Sequence, residues 1–252
     1  MSRAPFDEGV AGLASLAEPT RRALYLYVRS QGSAVSRDEA AAGVGVPRHK
    51  AKFHLDKLVD DGLLDVEFAR RTGRQGPGAG RPAKLYRRAT RELSVTLPER
   101  RYELAGQLMA RGIADARDEG LPVAEALGRA AREQGHALAE GAQRQAGDGP
   151  SDAALLAAAR EVLDDEGYET RLDREGQETR LADAGTGQAG LTLTNCPFHA
   201  LAAEHTAVVC GMNLAIMEGL VTGLPRLRLT AVLEPAEGRC CVRLAAQDQS
   251  GH

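Results

Sequence analysis

The run from Ser36 to Arg88 constrains this chain most, because helix caps, a tight turn and a basic loop follow one another in a fixed order. Ser36-Arg37-Asp38-Glu39 has the capping-box spacing, in which the serine hydroxyl meets the Glu39 N–H and the Glu39 carboxylate reaches back. Gly43 and Gly45 close that helix, and Pro47 can open the next one because its missing N–H is not needed there. In the second helix Ala51, Leu55, Leu58 and Val59 share one face at helical periodicity. His49 and Phe53 then point away from the core, flanked by Arg48, Lys50, Lys52 and Lys57. An outward phenylalanine among cations suits a major groove, where it can touch a thymine methyl while the cations meet phosphates or guanine edges.

Leu64 to Phe68 and Lys84 to Arg87 each alternate like a half-buried strand. Between them lies RRTGRQGPGAGRPA, residues 70–83, with four arginines, four glycines and two prolines. Such a composition forms no core and predicts a basic loop. Standing alone it would read as a solvated linker; directly after two helices and a turn it reads as a wing. The order predicts a winged helix-turn-helix, with Arg70, Arg71, Arg74, Arg81 and Lys84 placed for phosphates.

The net charge of −3 conceals an asymmetry. Residues 1–101 hold 19 Lys and Arg against 12 Asp and Glu, a balance of +7; residues 102–252 hold 13 against 23, a balance of −10. A nucleic-acid-binding half joined to an acidic regulatory half is the reading. By this reading no apolar run approaches the ~20 residues of a membrane span, and the first residues lack a signal-peptide core, so a cytoplasmic protein without membrane contact is expected.

The fold class expected is α+β in three parts. Residues 11–95 make the winged helix-turn-helix, after a frayed stretch over 1–10; its first helix runs from Gly12 to Ser30, with Leu13, Leu16, Leu24, Tyr25 and Val28 for its core. Residues 96–150 make a helical dimerisation or linker segment, one helix from Leu97 to about Glu119 and another from Val123 to Ala142. Residues 151–246 make a small α+β domain with an antiparallel sheet. Its expected parts are a helix capped by Ser151, strands near 168–172, 179–181 and 190–194, a helical stretch from Phe198 to about Leu220, and a hairpin of 226–234 with 240–244.

All four cysteines, 196, 210, 240 and 241, lie in that last domain. In a reducing compartment such clustering favours metal or redox chemistry over a disulfide. Cys196 and His199 are three apart, and Cys210 follows. Cys240 and Cys241 share the expected strand over 240–244, so their side chains leave on opposite faces, and Cys240, on the face of Val242 and Leu244, is the inward one. The expected set is Cys196, Cys210, Cys240 and His199, against the alternative that free cysteines simply pack as small apolar groups.

The segments Ala17-Glu18-Pro19-Thr20-Arg21-Arg22, Phe53-His54-Leu55-Asp56-Lys57-Leu58 and Gly62-Leu63-Leu64 resemble the ArsR-type winged-helix repressors. Together with Asn195-Cys196-Pro197, Cys210 and Gly238-Arg239-Cys240, the chain is similar to the SufR-like branch, along almost its whole length. The resemblance implies a dimeric repressor of cluster-assembly genes whose C-terminal cysteines hold an iron–sulfur cluster, with Cys196, Cys210 and Cys240 matching family cysteines. The remaining family cysteine would fall near residues 223–225, where this chain has none, and Cys241 is extra to the pattern.

Three functions therefore compete. A homodimeric regulator sensing a cluster or redox state is preferred, bound to double-stranded DNA at an inverted-repeat operator. A regulator with structural zinc on Cys196, Cys210, Cys240 and His199, or with a non-metal effector, is the alternative. An enzyme would need Cys196 or Cys210 as nucleophile and His199 or His205 as base, and the sequence carries no assembled triad, phosphate loop or carboxylate pair, so the chain is read as a non-enzyme.

Overall fold

In the computed structural model, which describes residues 3–69, 82–173 and 190–247, the chain divides between Val95 and Thr96 into two units, each with its own core.

The N-terminal unit begins with a helix where fraying was expected: α1 spans Arg3–Ser15. It packs through small residues, and a Cβ on Gly12 would stand 2.4 Å from Leu93 Cδ1. That is why apolar periodicity did not reveal it, and why Leu13, expected in the core, is half exposed. The Glu18 carboxylate accepts the Arg21 N–H at 2.6 Å and starts a separate helix, α2 (Pro19–Ser30). A two-residue strand, β1 (Val35–Ser36), leads into α3 (Arg37–Val44). Both halves of the Ser36–Glu39 capping box form, and Gly45 ends α3 in the left-handed region at φ 71°. Then come α4 (Arg48–Asp60), β2 (Leu64–Ala69) and β3 (Ala83–Arg88). The sheet order is β1-β3-β2, all antiparallel, with Leu64 opposite Arg88 and Ala69 opposite Ala83. Leu24, Leu55, Leu58, Leu64 and Tyr86 fill the space between the helices and this small sheet.

In the C-terminal unit the helical stretch 96–150 and the sheet region share one core. Helices α5 (Tyr102–Glu119), α6 (Val123–Ala146) and α7 (Asp152–Asp165) are followed by β4 (Thr170–Asp173) and β5 (Gly190–Leu193). The helix expected from Phe198 breaks at His205 into α8 (His199–Glu204) and α9 (Thr206–Gly223). Strands β6 (Leu229–Leu233) and β7 (Val242–Ala246) complete an antiparallel sheet of order β4-β5-β7-β6. The expected strand at 179–181 lies outside the described residues.

Helix α9 corrects one sequence expectation: by length and composition alone it is apolar enough to cross a membrane. It is the central core helix of this unit, with Met212, Ile216, Met217 and Leu220 buried. It crosses α6 where both helices carry glycine: a Cβ on Gly135 would sit 2.0 Å from the Ile216 carbonyl oxygen, and one on Gly219 2.1 Å from that of Arg132.

Candidate functional site

The first site is the outer face of α4. Ala51, His54, Leu55 and Leu58 are buried, which turns Arg48, His49, Lys50, Lys52, Phe53 and Lys57 outward. Phe53 is 65% exposed, although a phenyl ring in water forgoes ~1.5–3 kcal/mol of burial. Two of the cations are partly neutralised: Arg48 Nε lies 2.5 Å from Asp38 Oδ1, and Lys57 Nζ 2.6 Å from Asp61 Oδ1. Lys50 and Lys52 have no carboxylate within ion-pair distance among the described residues. Phe68 on β2 is 68% exposed and adds a second outward ring, which sequence reading assigned only to strand alternation.

His54 joins Ala51, Leu55 and Leu58 as an inward residue of α4, and Val59 is partly buried against the same core. Burial lowers its pKa below the ordinary imidazole value, despite Glu18 Oε2 at 3.6 Å from Nδ1. A neutral ring is the form that packs here.

Strand β3 is tied to α4 by Asp56. Its Oδ1 accepts from Lys84 Nζ at 2.6 Å and from the Tyr86 hydroxyl at 2.9 Å. Partial burial opposes the charge, yet these hydrogen bonds hold the carboxyl below its usual range. Lys84, expected on a phosphate, therefore serves first to fix the strand against the helix. Asp56→Ala should destabilise the N-terminal unit by about 1–3 kcal/mol, because the buried Tyr86 hydroxyl loses its acceptor. The pH sign follows from the lowered pKa: the stabilisation is present above the carboxylate range and is lost as pH falls through it. Urea unfolding at pH 7 and pH 3 checks both, and equal stability of Asp56→Ala and wild type at pH 7 would refute the tie. Arg70, Arg71, Arg74 and Arg81 lie outside the described residues.

The second site is made of thiols. Cys196 follows the end of β5, Cys210 lies on α9, and Cys240 and Cys241 precede β7 rather than belonging to it. Off the strand, the two neighbours are not forced to opposite faces. The Cys240 N–H bonds to the Leu193 carbonyl at 2.9 Å, which sets this bend against the end of β5. The four thiols then stand as neighbours in the order Cys196, Cys240, Cys241, Cys210, each acting on the next. Cys241, set aside in the sequence reading, is an inner link of this line. His199 is exposed, and its backbone N–H bonds to the Cys196 carbonyl at 3.1 Å. Its ring takes no part in the thiol line.

The protons are unevenly held. The adjacent Cys240 side chain draws the thiols of Cys196 and Cys241 down, Cys241 to about 6. Its interactions with these two neighbours, with burial, push Cys240 far up. Burial and the adjacent Cys241 raise Cys210 to about 12. Asn213, 1% exposed within apolar α9, donates its amide to Cys240 Sγ at 3.1 Å and accepts the buried Tyr168 hydroxyl at 2.6 Å. Asn213 lies three residues after Cys210, hence on the same side of α9. A polar residue inside an apolar helix was the available signal for this support, and sequence reading passed over it.

Four sulfurs without a carboxylate are soft donors, the chemistry that selects zinc, copper(I) or an iron–sulfur cluster. They stand in a line rather than around one point, and among the described residues no three His, Cys, Asp or Glu side chains are gathered closely enough to chelate an ion as they stand.

Residues 16–67 match the family model of a helix-turn-helix domain, which covers α2, α3, α4 and most of β2. Comparison with curated proteins and with solved structures gives no significant match. The N-terminal unit is a winged helix-turn-helix, and the chain is a DNA-binding transcriptional regulator.

Proposed function

We propose that the chain is a homodimeric transcriptional repressor whose C-terminal thiols hold an iron–sulfur cluster and report its presence to the DNA-binding unit. The observation that carries this reading is the line of four cysteines brought together from three separate parts of the C-terminal fold. The ligand set proposed is Cys196, Cys210, Cys240 and Cys241, with Cys241 in the place sequence reading gave to His199. When bound, a cluster supplies a site that oxygen and iron supply can alter. Asn213 and Tyr168 would orient Cys240 toward it, as hydrogen-bonded neighbours do for metal ligands generally. The cluster regulates only as far as its affinity differs between DNA-competent and incompetent forms. Pairing through α5 is part of the proposal, since Ile113 on that helix is 58% exposed. A DNA-binding regulator of this kind works in the cytoplasm.

Two measurements test the reading. Anaerobically purified protein should contain iron and sulfide; stoichiometric zinc instead would make the site structural, and neither metal would remove it. Selection of bound DNA from a random pool should return an inverted repeat with half-sites about one helical turn apart, ~10 bp. On that operator, replacing Arg70, Arg71, Arg74 and Arg81 by alanine should weaken binding to all sequences and lower the salt slope by ~0.9 per lost phosphate contact. Phe53→Ala should instead change base preference. An unchanged salt slope in the arginine variant would remove the wing from the phosphate contacts.

A further inference from the structure

The Cys196 loop is fastened to the stretch of chain that leaves the DNA-binding unit. That unit ends at Val95, and α5 begins at Tyr102, so residues 96–101 are the covalent link into the C-terminal unit. Within the C-terminal unit, Arg100 Nη1 donates to Asn195 Oδ1 at 2.7 Å and to the Cys196 carbonyl at 2.8 Å. The Arg101 N–H donates to the Pro197 carbonyl at 3.0 Å. Asn195 returns the contact through Nδ2, which donates to the Gly167 carbonyl at 2.6 Å and the Glu99 carbonyl at 3.3 Å. The Arg100 N–H is itself held by Thr96 Oγ1 at 2.9 Å. Three consecutive residues of the thiol loop, 195–197, thus bond to three consecutive residues of the link, 99–101.

These bonds are of unequal strength. A guanidinium donating to two oxygens is charge-assisted, at roughly twice the strength of a neutral bond, and its planar fork fixes the direction of both acceptors. The other cross-bonds join neutral partners. The Cys196 carbonyl cannot shift without changing the geometry at Arg100.

We propose that Arg100 is the positioning residue that couples the thiol site to DNA binding: a change of state at Cys196 moves the 195–197 loop, and Arg100 carries the movement into residues 96–101. This rests on the reading of the thiols as a sensing site. Coupling between sites is a free energy and must appear as a ratio of affinities, and a claim that it runs through one residue must survive that residue's removal as a test.

The full-length protein is prepared metal-free and reconstituted with ferrous iron and sulfide, with zinc alone in parallel. Operator affinity and amide exchange over residues 96–102 and 194–200 are measured in each state, for wild type, Arg100→Gln and Arg100→Lys. In wild type both the affinity and the exchange of both segments should depend on loading. Arg100→Gln should retain iron and sulfide within twofold of wild type while its loaded-to-free affinity ratio falls toward one. Exchange over 194–200 should still respond to loading in that variant, and exchange over 96–102 should not. Arg100→Lys, with charge but no fork, should give an intermediate ratio, and it decides the matter should Arg100→Gln not fold. A variant that keeps the wild-type ratio and a loading-dependent 96–102 segment overturns the coupling role and leaves the thiol site standing. A wild type whose DNA binding ignores loading overturns the sensing reading, and the coupling with it.

Discussion

Cys241→Ser should empty the thiol site as completely as Cys196→Ser, Cys210→Ser or Cys240→Ser, while His199→Ala should leave it loaded. The expectation for Cys241 comes from the bend before β7, where the residue links Cys240 to Cys210 instead of facing outward from a strand. Thiolates bind iron or zinc as soft ligands, and a serine oxygen is a poor substitute, so removal of a true ligand is felt as loss of the bound group. Removal of a packing cysteine costs only some stability. Iron, sulfide and zinc analysis of the five variants, with thermal unfolding alongside, separates the two. Cys241→Ser protein that retains wild-type metal would return that residue to a packing role. Loading should also weaken as pH falls, because the raised thiols of Cys210 and Cys240 must surrender protons to bind.

Much of the N-terminal unit was legible because its chemistry is local. Ser36 and Glu39 are three residues apart, Gly45 tolerates a left-handed turn, and Pro47 is accepted before or at a helix start but not inside one; each statement needs no knowledge of the rest of the chain. Helix α1 escaped because it packs through Gly9 and Gly12, whose lack of side chain leaves no apolar period to count. His54 escaped because a histidine between Phe53 and Leu55 counts as polar in any periodicity, although its ring is buried.

The thiol site was legible only in part. Its cysteines were found by residue type, and Cys240 is the more buried of the adjacent pair, as expected; but β7 begins at Val242, two residues after the expected strand, so strand alternation does not place Cys241. The Cys196–His199 spacing fits a ligand pair, yet Pro197 and Phe198 are buried in the turn and the His199 ring faces solvent. Asn213 and Arg100 act through partners 27 and 95 residues away, which no short motif encodes.

Gly135→Ala should be the most destabilising single-methyl change in the C-terminal unit. In an ordinary helix interior the substitution gains roughly 0.5–1 kcal/mol, since alanine loses less backbone entropy. Gly106 on α5 is such a place: nothing lies within 4 Å of its added Cβ, and Gly106→Ala should show that gain. At Gly135 the new methyl meets the Ile216 carbonyl oxygen at 2.0 Å, the Leu220 nitrogen at 2.7 Å and the Gly219 Cα at 2.9 Å. All three are backbone atoms of α9, so no rotamer change relieves the clash and the helices must move apart. Overpacking of this kind costs typically 1–3 kcal/mol and more where only backbone can yield, so the net loss should be about 3 kcal/mol or above. The consequence reaches the thiol site, because α9 also carries Cys210 and Asn213. Gly135→Ala should therefore lower both the unfolding midpoint and metal retention, whereas Gly106→Ala leaves retention unchanged. Calorimetry with metal analysis on the two variants checks this. A Gly135→Ala protein as stable as wild type would show that α6 and α9 do not cross on these glycines.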